Sequence, residues 1–165
     1  MLFIASKPHC SRRAFLLAAG VIALVGGPAL AAHGAPQILF ICQFGTVKSA
    51  IARELLRKRA TERGISVVAQ SRGITPANHR TARLDQALAA DGINPDSDPL
   101  RPLTMADVRQ ADVVVLFDRP AMAMSLARDW TDTPSVLADY SVARADLLRR
   151  IDRLLDEIAR PKPRR

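Results

Sequence analysis

The sequence has few aromatic residues and almost no cysteine. Phe, Trp and Tyr together make up 4% of the 165 residues, with one Trp, one Tyr and five Phe. Proteins that bind nucleic acid by stacking bases need more aromatic surface than this. The two cysteines, Cys10 and Cys42, cannot build a disulfide scaffold, nor a closed four-ligand zinc site without histidine. His33 and His79 stand at no recognised metal-site spacing from Cys42. No run of apolar residues repeats along the chain, which excludes a multi-pass membrane protein. Hydrophobic residues at 48% are enough for a packed core, and the length suits one domain.

The net charge of +8 first suggests an anionic partner. Its distribution argues otherwise. Three of the charges are Lys7, Arg12 and Arg13, and four are Arg160, Lys162, Arg164 and Arg165. That leaves +1 for everything between, so no nucleic-acid partner is expected. The first charges belong to a leader. Ser11-Arg12-Arg13-Ala14-Phe15-Leu16 opens an apolar stretch that ends in Ala29-Leu30-Ala31, small residues at alternate positions. This resembles a twin-arginine export signal. The stretch is broken by Gly20, Gly26, Gly27 and Pro28, and no basic stop follows it, which argues against a membrane anchor. The reading gives an export signal over 1–31, a domain over 36–159 and a basic tail over 160–165. Cleavage is expected after Ala31 or Ala32. It leaves about 134 residues, without a stable membrane span. The twin-arginine translocase is the expected partner during export, and the periplasm or another exported location the destination.

The rest of the chain alternates strand and helix. Short apolar runs at 37–41, 65–69 and 112–117 read as buried parallel strands. Helices are expected over 48–63, closed by Gly64, over 79–91, closed by Gly92, and over 141–158. In the first, Arg53, Glu54, Arg57, Lys58 and Arg59 are assigned to the outer face. In the last, Leu147, Leu148, Ile151, Leu154, Leu155 and Ile158 face inward. Residues 94–102, with three prolines, are a loop. Thr104 and Asp107 have the spacing of a capping box. Alternation of this kind predicts an α/β fold, a parallel sheet covered by helices on both faces.

The chemistry falls in the loop after the first strand, Cys42-Gln43-Phe44-Gly45-Thr46-Val47-Lys48-Ser49. In a parallel sheet this is the carboxyl end of a strand, where ligands bind. Loop amides can form an anion nest, and the helix start adds unpaired N–H groups and a positive dipole end. A free cysteine after a strand is commonly a small core hydrophobe. Here the nest would favour its thiolate. Gly45 can supply positive φ, and Lys48 a positive charge. Nucleophile, amides and cation together suit displacement at a tetrahedral oxyanion.

These residues resemble the phosphate loop of the low-molecular-weight protein tyrosine phosphatase superfamily, which includes the thioredoxin-linked arsenate reductases. The family reads roughly V-C-x-G-N-x-C-R-S and then A-E. This chain reads Ile41 to Ser49 and then Ala52-Arg53-Glu54. Ala69-Gln70-Ser71-Arg72-Gly73 resembles its strand ending S-A-G. Arg101-Pro102-Leu103-Thr104, Asp107 and Ala111 to Val115 resemble its P-L-T…D…A-D-x-V-V segment, followed by Phe117-Asp118. The resemblance spans residues 37–158 and implies a three-layer, four-stranded parallel sheet of flavodoxin-like, doubly wound topology. It implies a cysteine phosphatase acting on phosphate monoesters or related oxyanions, with no metal or organic cofactor. Cys42 would be the nucleophile, with Ser49 bonded to its thiolate. Loop residues Gln43, Phe44, Gly45, Thr46, Val47 and Lys48 would hold the oxyanion. The general acid would be Asp132, near Pro134, with Asp139 as the alternative. The loop departs from the family at Lys48 for Arg, at Phe44 and Gly45 for Gly and Asn, and at Val47 for a second cysteine. Lysine keeps the charge but loses the two-pronged grip. Two further readings are therefore carried: arsenate reduction with an external thiol, because signal removal leaves only Cys42, and a non-catalytic oxyanion-binding domain.

Overall fold

The computed structural model describes residues 34–124 and 126–160. The segment expected to be an export signal, its expected cleavage site and most of the basic tail lie outside the described residues. Among those that are described, no helix is long and apolar enough to cross a membrane.

Strand β1 (Gln37–Cys42) lies at the centre of a four-stranded sheet. Helix α1 (Lys48–Glu62) returns the chain to β2 (Val68–Gly73), which pairs in parallel with β1 from Gln37↔Val68 to Cys42↔Gly73. Helices α2 (Ala82–Ala90) and α3 (Met105–Gln110) lead to β3 (Val113–Leu116), parallel to β1 on its other side. β4 (Arg128–Asp129) closes the order β2-β1-β3-β4, and α4 (Tyr140–Ala159) ends the fold. Every pairing is parallel, so the sheet is of the doubly wound kind expected.

Alternation along β1 divides the core. Ile38, Phe40 and Cys42 join one apolar cluster, with residues of α1, α2 and α4. Leu39 and Ile41 join the other, with Leu116 and, from α3, Val108. Successive side chains of a strand point to opposite faces, so a central strand buried on both must be apolar throughout. Phe40, Phe117 and Trp130 pack together, with ring centroids about 6 Å apart. Trp130 is a core anchor.

Two expectations need correction, and one strand gave no signal. The second strand lies at 68–73, where the family resemblance ends it, and not at 65–69. A parallel crossover must bring the chain back beside Gln37, and Ile65 and Val67 pack on the core while making that passage. β4 has no apolar signature, since it is two polar residues on the sheet edge. Arg53 is not on the outer face. It is 1% exposed, and its guanidinium bonds Glu54, the Ser71 hydroxyl, the Pro95 carbonyl and the Ser97 hydroxyl. The 94–98 loop needs a donor, and Arg53 reaches it through the core.

The predicted helix ends are present. Ile65 N–H bonds the Ala60 carbonyl and Ile93 N–H the Leu88 carbonyl, one residue beyond Gly64 and Gly92. Thr104 and Asp107 form the capping box. On α4, Leu147, Ile151, Leu154 and Leu155 are buried, while Leu148 and Ile158 are partly so.

Candidate active site

The loop between β1 and α1 takes its shape from the segment after β2. Ile74 N–H donates to the Cys42 carbonyl, Thr75 N–H to that of Gln43 and Ala77 N–H to that of Phe44. Three successive loop carbonyls are thus held toward residues 74–77. The Thr46 hydroxyl extends the tie by donating to the Ala77 carbonyl and accepting from His79 N–H. Among the described residues, the amides of Phe44, Thr46 and Val47 have no protein acceptor. Carbonyls drawn to one side and amides left without partners are the makings of an anion nest.

Gly45 has φ +78°, and a Cβ there would fall 2.8 Å from both Gly73 N and Leu100 Cδ1. Gly73 is the other half of the contact, since its Cβ would lie 2.8 Å from the Phe44 carbonyl carbon and oxygen. Backbone meets backbone here, and no side-chain rotation can relieve the overlap. Gly73→Ala is expected to cost about 1–3 kcal/mol in urea unfolding and to weaken phosphate binding by the folded protein. Unchanged stability would show that the two segments can separate freely.

Cys42 is buried at the base of the loop. Its Sγ lies 3.0 Å from Ser49 Oγ and accepts from Gly45 N–H at 3.2 Å. Alternation along β1 puts the thiol on the α1 face, where Ser49, in the first turn of α1, meets it. A cavity of about 180 Å³ opens above, lined by Cys42, Gln43, Phe44, Val47 and Lys48 from the loop. The remaining walls come from His79, Asp118 and residues Ser135 to Leu137. Of the expected loop residues, Gly45 and Thr46 do not line the cavity and instead shape it. Lys48 and His79 are the lining residues able to carry positive charge. Arg72 is bonded to Asp107, Arg80 lies between Asp85 and Asp96, and Arg83 lines a different cavity.

The carboxylates are placed differently from the sequence expectation. Asp132 does not line this cavity. Its side chain is 72% exposed and bonds Arg150 at 2.9 Å, which holds the carboxyl below the ordinary aspartate range. Asp139 caps α4, and the Val142 amide and Ser141 hydroxyl hold it down likewise. The carboxylate in the cavity wall is Asp118, whose Oδ2 accepts from Gln43 N–H at 2.9 Å. One signal could have found it, because β3 neighbours β1 and an acid just past the end of β3 must come near the Cys42 loop. His79 is drawn in beside Phe44, with ring centroids 4.4 Å apart. No residue pattern announced that placement, or that of Ser135 to Leu137. Among the described residues, no three His, Cys, Asp or Glu side chains gather as for a metal ion.

Comparison with known proteins gives the fold and the family. No curated protein sequence matches the chain. Solved structures share its fold. YfkJ from Bacillus subtilis superposes with a TM-score of 0.65 at 18% identity, covering 77% of this chain and 96% of its own. A low molecular weight protein tyrosine phosphatase from T. tengcongensis gives 0.62 at 16%, covering 74% and 99%. A thioredoxin-dependent arsenate reductase from Corynebacterium glutamicum gives 0.59 at 27%, covering 77% of this chain and 63% of that one. Residues 37–147, from the first strand through the Cys42 loop and into α4, match the low molecular weight phosphotyrosine protein phosphatase family, and the chain belongs to it.

Proposed function

We propose that this protein is an exported phosphatase that hydrolyses phosphate monoesters through a phosphocysteine. One observation carries the reading. The Cys42 sulfur sits under a loop in which the amides of Phe44, Thr46 and Val47 have no acceptor among the described residues, with Ser49 Oγ at 3.0 Å and Gly45 N–H at 3.2 Å. Both neighbours can donate to a thiolate and hold it for attack. Sulfur displaces the leaving oxygen, the S–P bond forms as the P–O bond breaks, and water then cleaves S–P and restores the thiolate. The loop amides and the Lys48 ammonium hold the remaining phosphoryl oxygens as charge shifts among them. Lysine grips them as a point charge, without the planar fork of arginine. Export rests on the paired-arginine leader at Arg12-Arg13 and the small residues at Ala29 and Ala31.

The intermediate is testable. Mixed with excess 4-nitrophenyl phosphate, the protein is expected to release a burst of nitrophenol of one equivalent per chain. Added glycerol should divert part of the phosphoryl group to glycerol phosphate. Steady release with no burst and no transfer, under conditions where hydrolysis of the intermediate is slow, would count against a covalent step.

Arsenate reduction is the second reading, favoured by the match to the arsenate reductase. Cys42 is the free cysteine of the described residues, so the two electrons would come from Cys42 and one external thiol, joined in a mixed disulfide that a second external thiol then reduces. Arsenite release in the presence of a small thiol would support it.

A further inference from the structure

We infer that Asp118 transfers the proton in both steps, giving it up to the leaving oxygen and taking one from the attacking water. This rests on reading Cys42 as the phosphoryl acceptor. The oxygen leaving in-line departs from the side of phosphorus opposite Cys42 Sγ, toward the cavity that Asp118 helps to line. A proton donor must reach that space. Asp132 lies outside the lining and is occupied by Arg150, and Asp139 is occupied as the cap of α4.

Asp118 is built into the site at both ends. Its backbone follows Phe117, whose N–H donates to the Ile41 carbonyl at 2.8 Å, so the turn after β3 is tied to the residue before the nucleophile. Its side chain is tied by the Gln43 amide at Oδ2. Oδ1 makes no hydrogen bond to another described residue. With Oδ2 accepting from the amide, Oδ1 is the oxygen that would carry the proton in the first step. After transfer the carboxylate still accepts the same amide bond. One anchor therefore serves both protonation states, and the group need not move between steps.

The balance is complete. In the first step the Cys42 sulfur pair forms S–P, the ester P–O bond breaks, and the Oδ1 proton goes to the leaving oxygen. In the second step water oxygen forms P–O, its proton goes to Oδ1, and the S–P pair returns to sulfur. No oxidant, reductant or metal enters.

The test is leaving-group dependence in the full chain, with phenyl phosphate and 2,4-dinitrophenyl phosphate as probes. Phenoxide needs the proton and dinitrophenoxide does not. Asp118→Asn keeps an oxygen for the Gln43 amide, so the loop anchor survives. It should lower kcat/KM for phenyl phosphate by about 100-fold or more, and that for the dinitrophenyl ester far less. Equal losses on both esters would mean that Asp118 only shapes the loop, and would overturn the inference. So would a selective loss in Asp132→Asn or His79→Gln with Asp118→Asn unaffected. Failure of the underlying reading looks different, because wild type would then turn over neither ester, or Cys42→Ser would turn over both.

Discussion

Cys42→Ser is expected to lower hydrolysis of aryl phosphates by more than about 1,000-fold, while the loop goes on binding phosphate. A serine hydroxyl is a far weaker nucleophile than a thiolate unless a base removes its proton. Asp118 bonds the Gln43 amide and Ser49 offers only a hydroxyl, so no base is bonded to position 42. The oxyanion donors are backbone amides, which the substitution leaves in place. Volume changes little, and the ties from residues 74–77 do not involve the side chain. Activity and calorimetric phosphate binding, measured on one preparation, separate the two effects. Turnover at the parental rate in Cys42→Ser would remove the nucleophile from the mechanism. Loss of both turnover and binding would show that the thiol shapes the loop.

Arg53→Ala is expected to destabilise the fold by about 3–5 kcal/mol in urea unfolding. Its guanidinium is buried and satisfies Ser71 on β2 and the Pro95 carbonyl and Ser97 hydroxyl in the 94–98 loop. Truncation leaves a cavity in the wall of the core and strips buried acceptors of their donor. Glu54 would retain Arg57 and Ser97 as partners, so its share of the loss is the smaller. Arg53→Met separates packing from hydrogen bonding, since it keeps most of the volume and none of the donors. It should fall between wild type and Arg53→Ala. Stability within about 1 kcal/mol of wild type in Arg53→Ala would mean that water replaces the guanidinium without cost.

What could be read in advance followed the physics of each segment. β1 was legible because a strand buried on both faces is apolar at every position, and α4 because its apolar residues recur on one side. The Cys42 loop was legible because its residues are contiguous. β2 was displaced because residues 65–67 are apolar for packing and not for pairing. Helical periodicity puts Arg53 outside because it sorts residues by polarity, and a buried guanidinium with partners breaks that sorting. The family resemblance points to Asp132, near Pro134, as proton donor, and does not single out Asp118. Asp118 owes its position to the neighbouring of β1 and β3, which is a property of topology and not of spacing.

Helix α1 differs from the rest in how it begins. Thr81, Thr104 and Asp139 place side-chain oxygens on first-turn amides of α2, α3 and α4, whereas Val47 places none on α1. The chain thus leaves one helix to be finished by something dissolved around it. Any anion that settles over Cys42 adds its binding free energy to that of folding. The melting temperature then becomes a function of the buffer. If phosphate is that anion, the melting temperature should rise with its concentration, and a melting curve recorded without it would describe a protein with one of its caps removed.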